Sequence, residues 1–183
     1  MKKIIMVLSL VCSCSFAGEI SEIYFKNQST NSVEDRRNNR AVTSDIVSTN
    51  YGITEIGIER SGCFGSCPAY TFIVKSDGSF HYKGENYAER KGDFTGTISV
   101  WEFNNLAQFI KESGFVDLKD TYMRGITDSS TTYTMIVMNG KQKIISDYAR
   151  SGPTKLWAIE ELIDHLLVGA KWIDSKKPTD DKK

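Results

Sequence analysis

Short alternating runs of apolar and polar residues, separated by turn residues, organise the middle of the chain. Ile53–Arg60 alternates so that Ile56 and Ile58 fall on one face of a strand. Tyr70–Lys75 and Ser79–Lys83 flank Ser76-Asp77-Gly78 and predict a hairpin. Loop length decides its register. A three-residue loop with Gly78 in the left-handed region pairs Val74 with Phe80 and Phe72 with Tyr82, which gathers Tyr70, Phe72, Val74, Phe80 and Tyr82 on one face. The same register turns His81 outward beside Ile73. Gly92–Ile98 predicts another strand, with Phe94 and Ile98 inward. Thr131–Met138 and Lys141–Tyr148 predict a second hairpin around Asn139-Gly140, with Tyr133, Met135, Val137, Ile144 and Tyr148 on one face.

Twice the period changes to that of a helix. Phe103, Leu106, Ala107 and Ile110 form one buried stripe. Ser99 and Glu102 fit a capping box, Ile98 and Phe103 a hydrophobic staple, and Gly114 a left-handed stop against which Phe115 folds back. A second helix opens at Gly152-Pro153, with proline in its first turn, and carries Leu156, Ile159, Leu162, Ile163, Leu166 and Leu167 as its stripe. Strands then helix, twice over, predict an α+β fold. Its expected form is an antiparallel sheet of about five or six strands built from two hairpin-plus-helix units, with both helices packed on one face.

The ends of the chain read differently. Lys2 and Lys3, the apolar run Ile4–Val11 and the small-x-small segment Ser15-Phe16-Ala17 fit a signal peptide over residues 1–17. The run is too short to span a bilayer. Val11-Cys12-Ser13-Cys14 also resembles a lipobox, in which Cys14 is lipidated and becomes the first mature residue. Both readings export the chain, to the periplasm or to a lipid anchor in the bacterial envelope. Residues 18–50 are expected to be a flexible tether, since Lys26–Asn50 has few large apolar residues. A single domain is expected over 51–169, with 170–183 as a charged, disordered tail.

Composition adds bounds but no activity. A chain of 183 residues with 40% apolar content can bury one ordinary core. Basic and acidic residues both number 23, so no global field recruits nucleic acid. Loss of Lys2 and Lys3 with the leader would leave a net charge of about −2, which is ordinary.

Cys63-Phe64-Gly65-Ser66-Cys67-Pro68 carries the most distinctive chemistry. A structural disulfide, a metal clip and a redox couple compete for it. Export favours oxidation, and Gly65 and Pro68 make a turn sharp enough for disulfide geometry. A five-residue loop closed this way contributes about 2 kcal/mol in the chain-entropy model. The alternative is a thiol-based redox or copper-binding protein using Cys63 and Cys67, because soft thiolates suit Cu(I). The Cys-x-x-x-Cys-Pro spacing is similar to that of thioredoxin-fold copper chaperones of cytochrome oxidase assembly. In that family the motif leads into a helix, whereas here a strand is expected, and His165 falls on the polar side of its helix.

No catalytic constellation emerges. Two histidines on separate elements give a Ser-His-Asp arrangement little to build on. Asp117, Asp120 and Asp128 lack the spacing of a calcium loop. Candidate binding positions are Arg60, Tyr122, Asp128 and Trp157. Trp157 sits off the apolar stripe of its helix, so it either packs against the region of Arg150 or is an exposed contact.

One family resemblance spans most of the domain. Ile58-Glu59-Arg60-Ser61-Gly62-Cys63-Phe64-Gly65-Ser66-Cys67-Pro68-Ala69-Tyr70, the Asp77-Gly78 turn and Tyr82-x-Gly84 resemble the opening of a bacterial family known as domain of unknown function 6438. Asp120-x-Tyr122, Thr127-Asp128 and the closing helix fit the same pattern, from about Ile53 to Leu167. The resemblance implies small exported or lipid-anchored proteins and supplies no catalytic residues. The sequence therefore points to a non-enzymatic binding domain in the envelope, cross-linked at Cys63–Cys67 and needing no cofactor. Its expected partner is an envelope protein or small ligand, not nucleic acid, and the membrane is met only through a lipidated Cys14.

Overall fold

A computed structural model describes residues 19–29 and 50–174. The expected leader and the lipobox at Cys14 lie outside the described residues, as does most of the expected tether. Strands β1 (Ile53–Arg60), β2 (Tyr70–Lys75), β3 (Ser79–Gly84) and β4 (Gly92–Thr97) come first, then helix α2 (Val100–Glu112). Next are β5 (Thr121–Tyr122), β6 (Thr131–Met138), β7 (Lys141–Tyr148), helix α3 (Thr154–His165) and β8 (Lys171–Asp174), with α1 (Glu19–Ser29) ahead of them all. The strands form one sheet in the order β5-β7-β6-β1-β2-β3-β4-β8.

The fold is α+β, but the sheet is larger than expected and mixed. Eight strands, not five or six, pair among the described residues, and β5 lies parallel to β7. That edge is held by the Ser146 N–H on the Asp120 carbonyl and by Lys143, which reaches the Leu118 carbonyl and Asp120 at 2.7 Å each. Both hairpin registers are as the pattern requires: Val74 faces Phe80, Phe72 faces Tyr82, and Met138 faces Lys141 across Asn139-Gly140. His81 stands beside Ile73, as expected.

One sheet face carries the main core. Ile56, Ile58, Phe72, Val74, Phe80 and Ile136 pack there against Phe103, Leu106 and Ile110 of α2 and Leu156, Ile159 and Ile163 of α3. Gly114 ends α2 in the left-handed region and Phe115 folds back, buried. Two local expectations fail. Ser99 occupies the N-cap position, but its side chain makes no capping hydrogen bond, so the capping box does not form. Leu162 is exposed while Glu160 is buried, because the stripe of α3 is rotated away from Leu162 and over a polar row of the sheet.

The other face also needs a cover. Tyr133, Met135 and Ile144 point there and meet Ile20 and Tyr24 of α1. Residues 19–29, expected within the tether, are thus a docked helix; the two-helices-on-one-face arrangement holds only for α2 and α3. A Cβ at Gly57 would lie 2.9 Å from Ile20 Cδ1, so the glycine makes room for α1. Glu59 Oε2 accepts the backbone N–H of Ile20 and of Ser21 at 3.0 Å each, an N-terminal anchor supplied from the sheet. Likewise residues 171–174, expected in the disordered tail, form β8 against β4. Trp172 drives that pairing by packing edge-on against Phe80, Tyr82 and Phe94.

Candidate functional site

The main core face turns polar toward one end, first at Thr134 beside Ile58 and then along the whole last row. Cross-strand pairing there aligns Asp147, Thr132, Arg60 and Tyr70 on neighbouring strands. α3 crosses above them and contributes Glu160 and Asp164, one helical turn apart on the same side.

At one end of the row the groups saturate each other. Arg60 donates through Nε and Nη2 to Asp164 Oδ2 at 3.0 and 2.6 Å, and through Nη1 to Thr132 at 3.0 Å. Tyr70 donates to Asp164 Oδ1 at 2.5 Å. Burial works against the Arg60 charge, but Asp164 and Tyr70 outweigh it and hold the guanidinium above its ordinary pKa. Burial and Asp164 push the Tyr70 phenol well above its usual range, against the pull of Arg60. Neither Arg60 nor Tyr70 therefore exchanges a proton near neutral pH.

The other end is less complete. Asp147 Oδ1 accepts the N–H groups of Ser151 and Gly152 at 2.6 and 2.9 Å, while Oδ2 is buried with no hydrogen-bond partner among the described residues. Glu160 is buried, with Thr134 Oγ1 at 3.4 Å. Burial first, then the neighbouring Asp147, pushes Glu160 up to about 7 against the opposing pull of Arg60 and Arg150.

Beyond Tyr70 the row opens into a cleft of about 520 Å³. Tyr70, Tyr82 and Trp172 are its aromatic walls, and Glu89, Arg90 and Asp164 its charged ones. Pro68 closes one side. A disulfide joins Cys63 to Cys67 directly before it, with Cα atoms 5.6 Å apart. The bridged loop leads into a strand, not a helix, so no helix dipole stands behind the sulfurs. It is tied to its surroundings by the Ser61 N–H on the Thr131 carbonyl and the Ala69 N–H on the Asn86 carbonyl. The Glu85 N–H returns to the Ala69 carbonyl, so the cysteine loop and residues 85–91 form one wall. Gly84 permits this approach, since a Cβ there would run into the Arg90 carbonyl.

The four candidate binding residues part company. Arg60 does not line the cleft itself but is bonded to two residues that do, Tyr70 and Asp164. Asp128 is exposed; its carbonyl accepts the Phe64 N–H at 3.4 Å and so supports the cysteine loop. Tyr122 packs against the main core and its hydroxyl accepts the Lys119 N–H at 3.1 Å. Trp157 is half-buried under the Arg150 guanidinium, 5.5 Å from its ring centroid. Sequence reasoning put Tyr82 on the face of Tyr70 but missed Asp147, Glu160, Asp164 and Trp172 as their neighbours. One signal was present: Glu160 and Asp164 are four apart and interleave with Ile159 and Ile163, which places acids beside the buried stripe.

A family model described as Domain of unknown function (DUF6438) matches residues 54–167, from β1 to just past α3. Helix α1 and strand β8, with Trp172, fall outside that span. No curated protein matches the chain.

Proposed function

The chain belongs to the DUF6438 family, and from that premise we propose that it is an exported bacterial envelope protein that binds a ligand without transforming it. The cleft walled by Tyr70, Tyr82 and Trp172 is the seat. The observation that carries this reading is the Cys63–Cys67 bridge directly behind Pro68. A disulfide fits an oxidising compartment and agrees with the signal-like amino terminus, cleaved before Gly18 or lipidated at Cys14. It also spends both sulfurs on bracing a wall.

Binding without turnover is supported by how the polar groups are used. Both Asp164 oxygens are engaged by Arg60 and Tyr70, and neither of those partners exchanges a proton near neutral pH. Such groups hold shape. Aromatic walls with a few placed charges are the ordinary makings of a small-ligand site.

Two experiments test the reading. Expression with its leader in a bacterial host, followed by fractionation, intact mass and thiol titration, should yield envelope protein that starts at Gly18 or at a diacylated Cys14, with no free thiol at Cys63 or Cys67. Cytosolic protein with two reactive thiols would favour the redox or copper alternative. A thermal-shift screen across cationic, anionic and neutral compounds should give hits that vanish in Tyr82→Ala. No hit that depends on Tyr82 would remove the cleft as a seat. The whole mature chain is needed, because a 52–168 fragment would lose both α1 and β8.

A further inference from the structure

We propose that the cleft takes a cation, a guanidinium or ammonium group carried on a small molecule or a basic side chain. The inference rests on the cleft being the binding seat and names the chemistry it selects. Its warrant is that a cation is already there. The Arg90 guanidinium lies 4.6 Å from the centroid of the Trp172 ring, supplied by the loop that forms the cleft wall. Indole is the strongest aromatic partner for a cation.

Trp172 cannot easily turn that face away. Phe80, Tyr82 and Phe94 meet it nearly edge-on, at interplanar angles of 78°, 88° and 89°. Gly96 is opposite it on β4, where any Cβ would collide with Phe80 and the Lys171 carbonyl. The indole face is therefore a fixed platform. Tyr70 and Tyr82 stack beside it with centroids 5.6 Å apart.

The charges point the same way. Arg60 and Asp164 cancel as a pair. Glu89 and Arg90, both exposed, are the remaining charges on the wall. If the Arg90 head group leaves, Glu89 and the aromatic faces are what an incoming ligand meets. The Arg90 backbone can stay in place meanwhile, because its loop is tied to Ala69 through Glu85 and Asn86. Arg90 is thus a built-in competitor, weakly held at the surface and exchangeable for an external cation.

The test titrates the full mature chain with Nα-acetyl-arginine methylamide, with its neutral norleucine analogue and with a neutral methyl glucoside, following indole N–H resonances by NMR. Blocked arginine should shift the Trp172 signal saturably and the two neutral probes should not. Arg90→Ala should tighten the arginine probe about fivefold and Glu89→Gln should weaken it about threefold, the range expected of exposed cation–aromatic and charge contacts. Both residues are exposed, so neither change threatens the fold. No tightening in Arg90→Ala, or a neutral probe that binds as well as arginine, overturns the cation assignment and leaves the seat intact. If nothing perturbs Trp172, Tyr70 or Tyr82, the seat itself falls.

Discussion

The two faces of the sheet are covered by different means. On one, α2 and α3 press continuous apolar stripes onto Ile56, Ile58, Phe72 and Val74. On the other, the single helix α1 brings Ile20 and Tyr24, with the partly buried Ile23, to Tyr133, Met135 and Ile144. It is fixed by a polar hook, the Glu59 carboxylate on its first N–H groups, and by the hollow at Gly57. Tyr24 adds a 2.5 Å hydrogen bond with Thr121. Area holds the first face and placement holds the second. The buried acids follow the same division. Glu59 is answered by two backbone donors, whereas Glu160 has one distant hydroxyl and Asp147 beside it.

This contrast can be broken by cavity mutants. Phe103→Ala should cost about 3–5 kcal/mol and Ile20→Ala about 2 kcal/mol, at the low end for a buried isoleucine. Urea unfolding gives both values. Equal losses would mean that α1 is as integral as α2.

Next in size is Glu160. Its folded pKa of about 7 lies above the ordinary 4.5, so between those values the native state holds more proton than the unfolded chain. Stability from this group is therefore complete at low pH and is lost as pH rises through that window. Glu160→Gln should abolish the slope and leave the variant more stable at pH 8, by up to about 3 kcal/mol. Unfolding curves at pH 5 and pH 8 measure the difference. A mutant with the parental pH slope would place the titration elsewhere.

Smallest is the hook. Glu59→Gln should cost about 1 kcal/mol, since an amide oxygen can still accept but no longer opposes the helix dipole with a charge. Hydrogen exchange should quicken in α1 and not in α2 or α3. Uniform acceleration would erase the distinction between the faces.

The same contrast explains what could be read from the chain. Phe103, Leu106, Ala107 and Ile110, and the two hairpins, declare themselves through period and turn chemistry, which are local. α1 does not, because Ile20 is held by Glu59 and Gly57 and Tyr24 by Thr121 and Tyr133, which lie far along the chain and look like ordinary strand residues. Trp172 reads as part of a charged tail until Phe80, Tyr82 and Phe94 are brought beside it by pairing. The site was legible at Arg60 and at the cysteines. Tyr82 was placed beside Tyr70 by the hairpin register, but the acids of α3 join the site only through the crossing of the helix. Ser99 shows the opposite error: a good local signal whose side chain forms no cap.

The cysteine loop belongs to neither face, and its task is the central claim. If the bridge is a brace for the cleft wall, hydrogen exchange on the oxidised and reduced chain should reveal it. Reduction should speed exchange in residues 62–69 and, through the Ala69–Asn86 and Glu85–Ala69 hydrogen bonds, in 85–91, while α1, α2 and α3 keep their protection. Unchanged exchange in both segments would contradict the account, because the sulfurs would then be free for chemistry that the wall does not need.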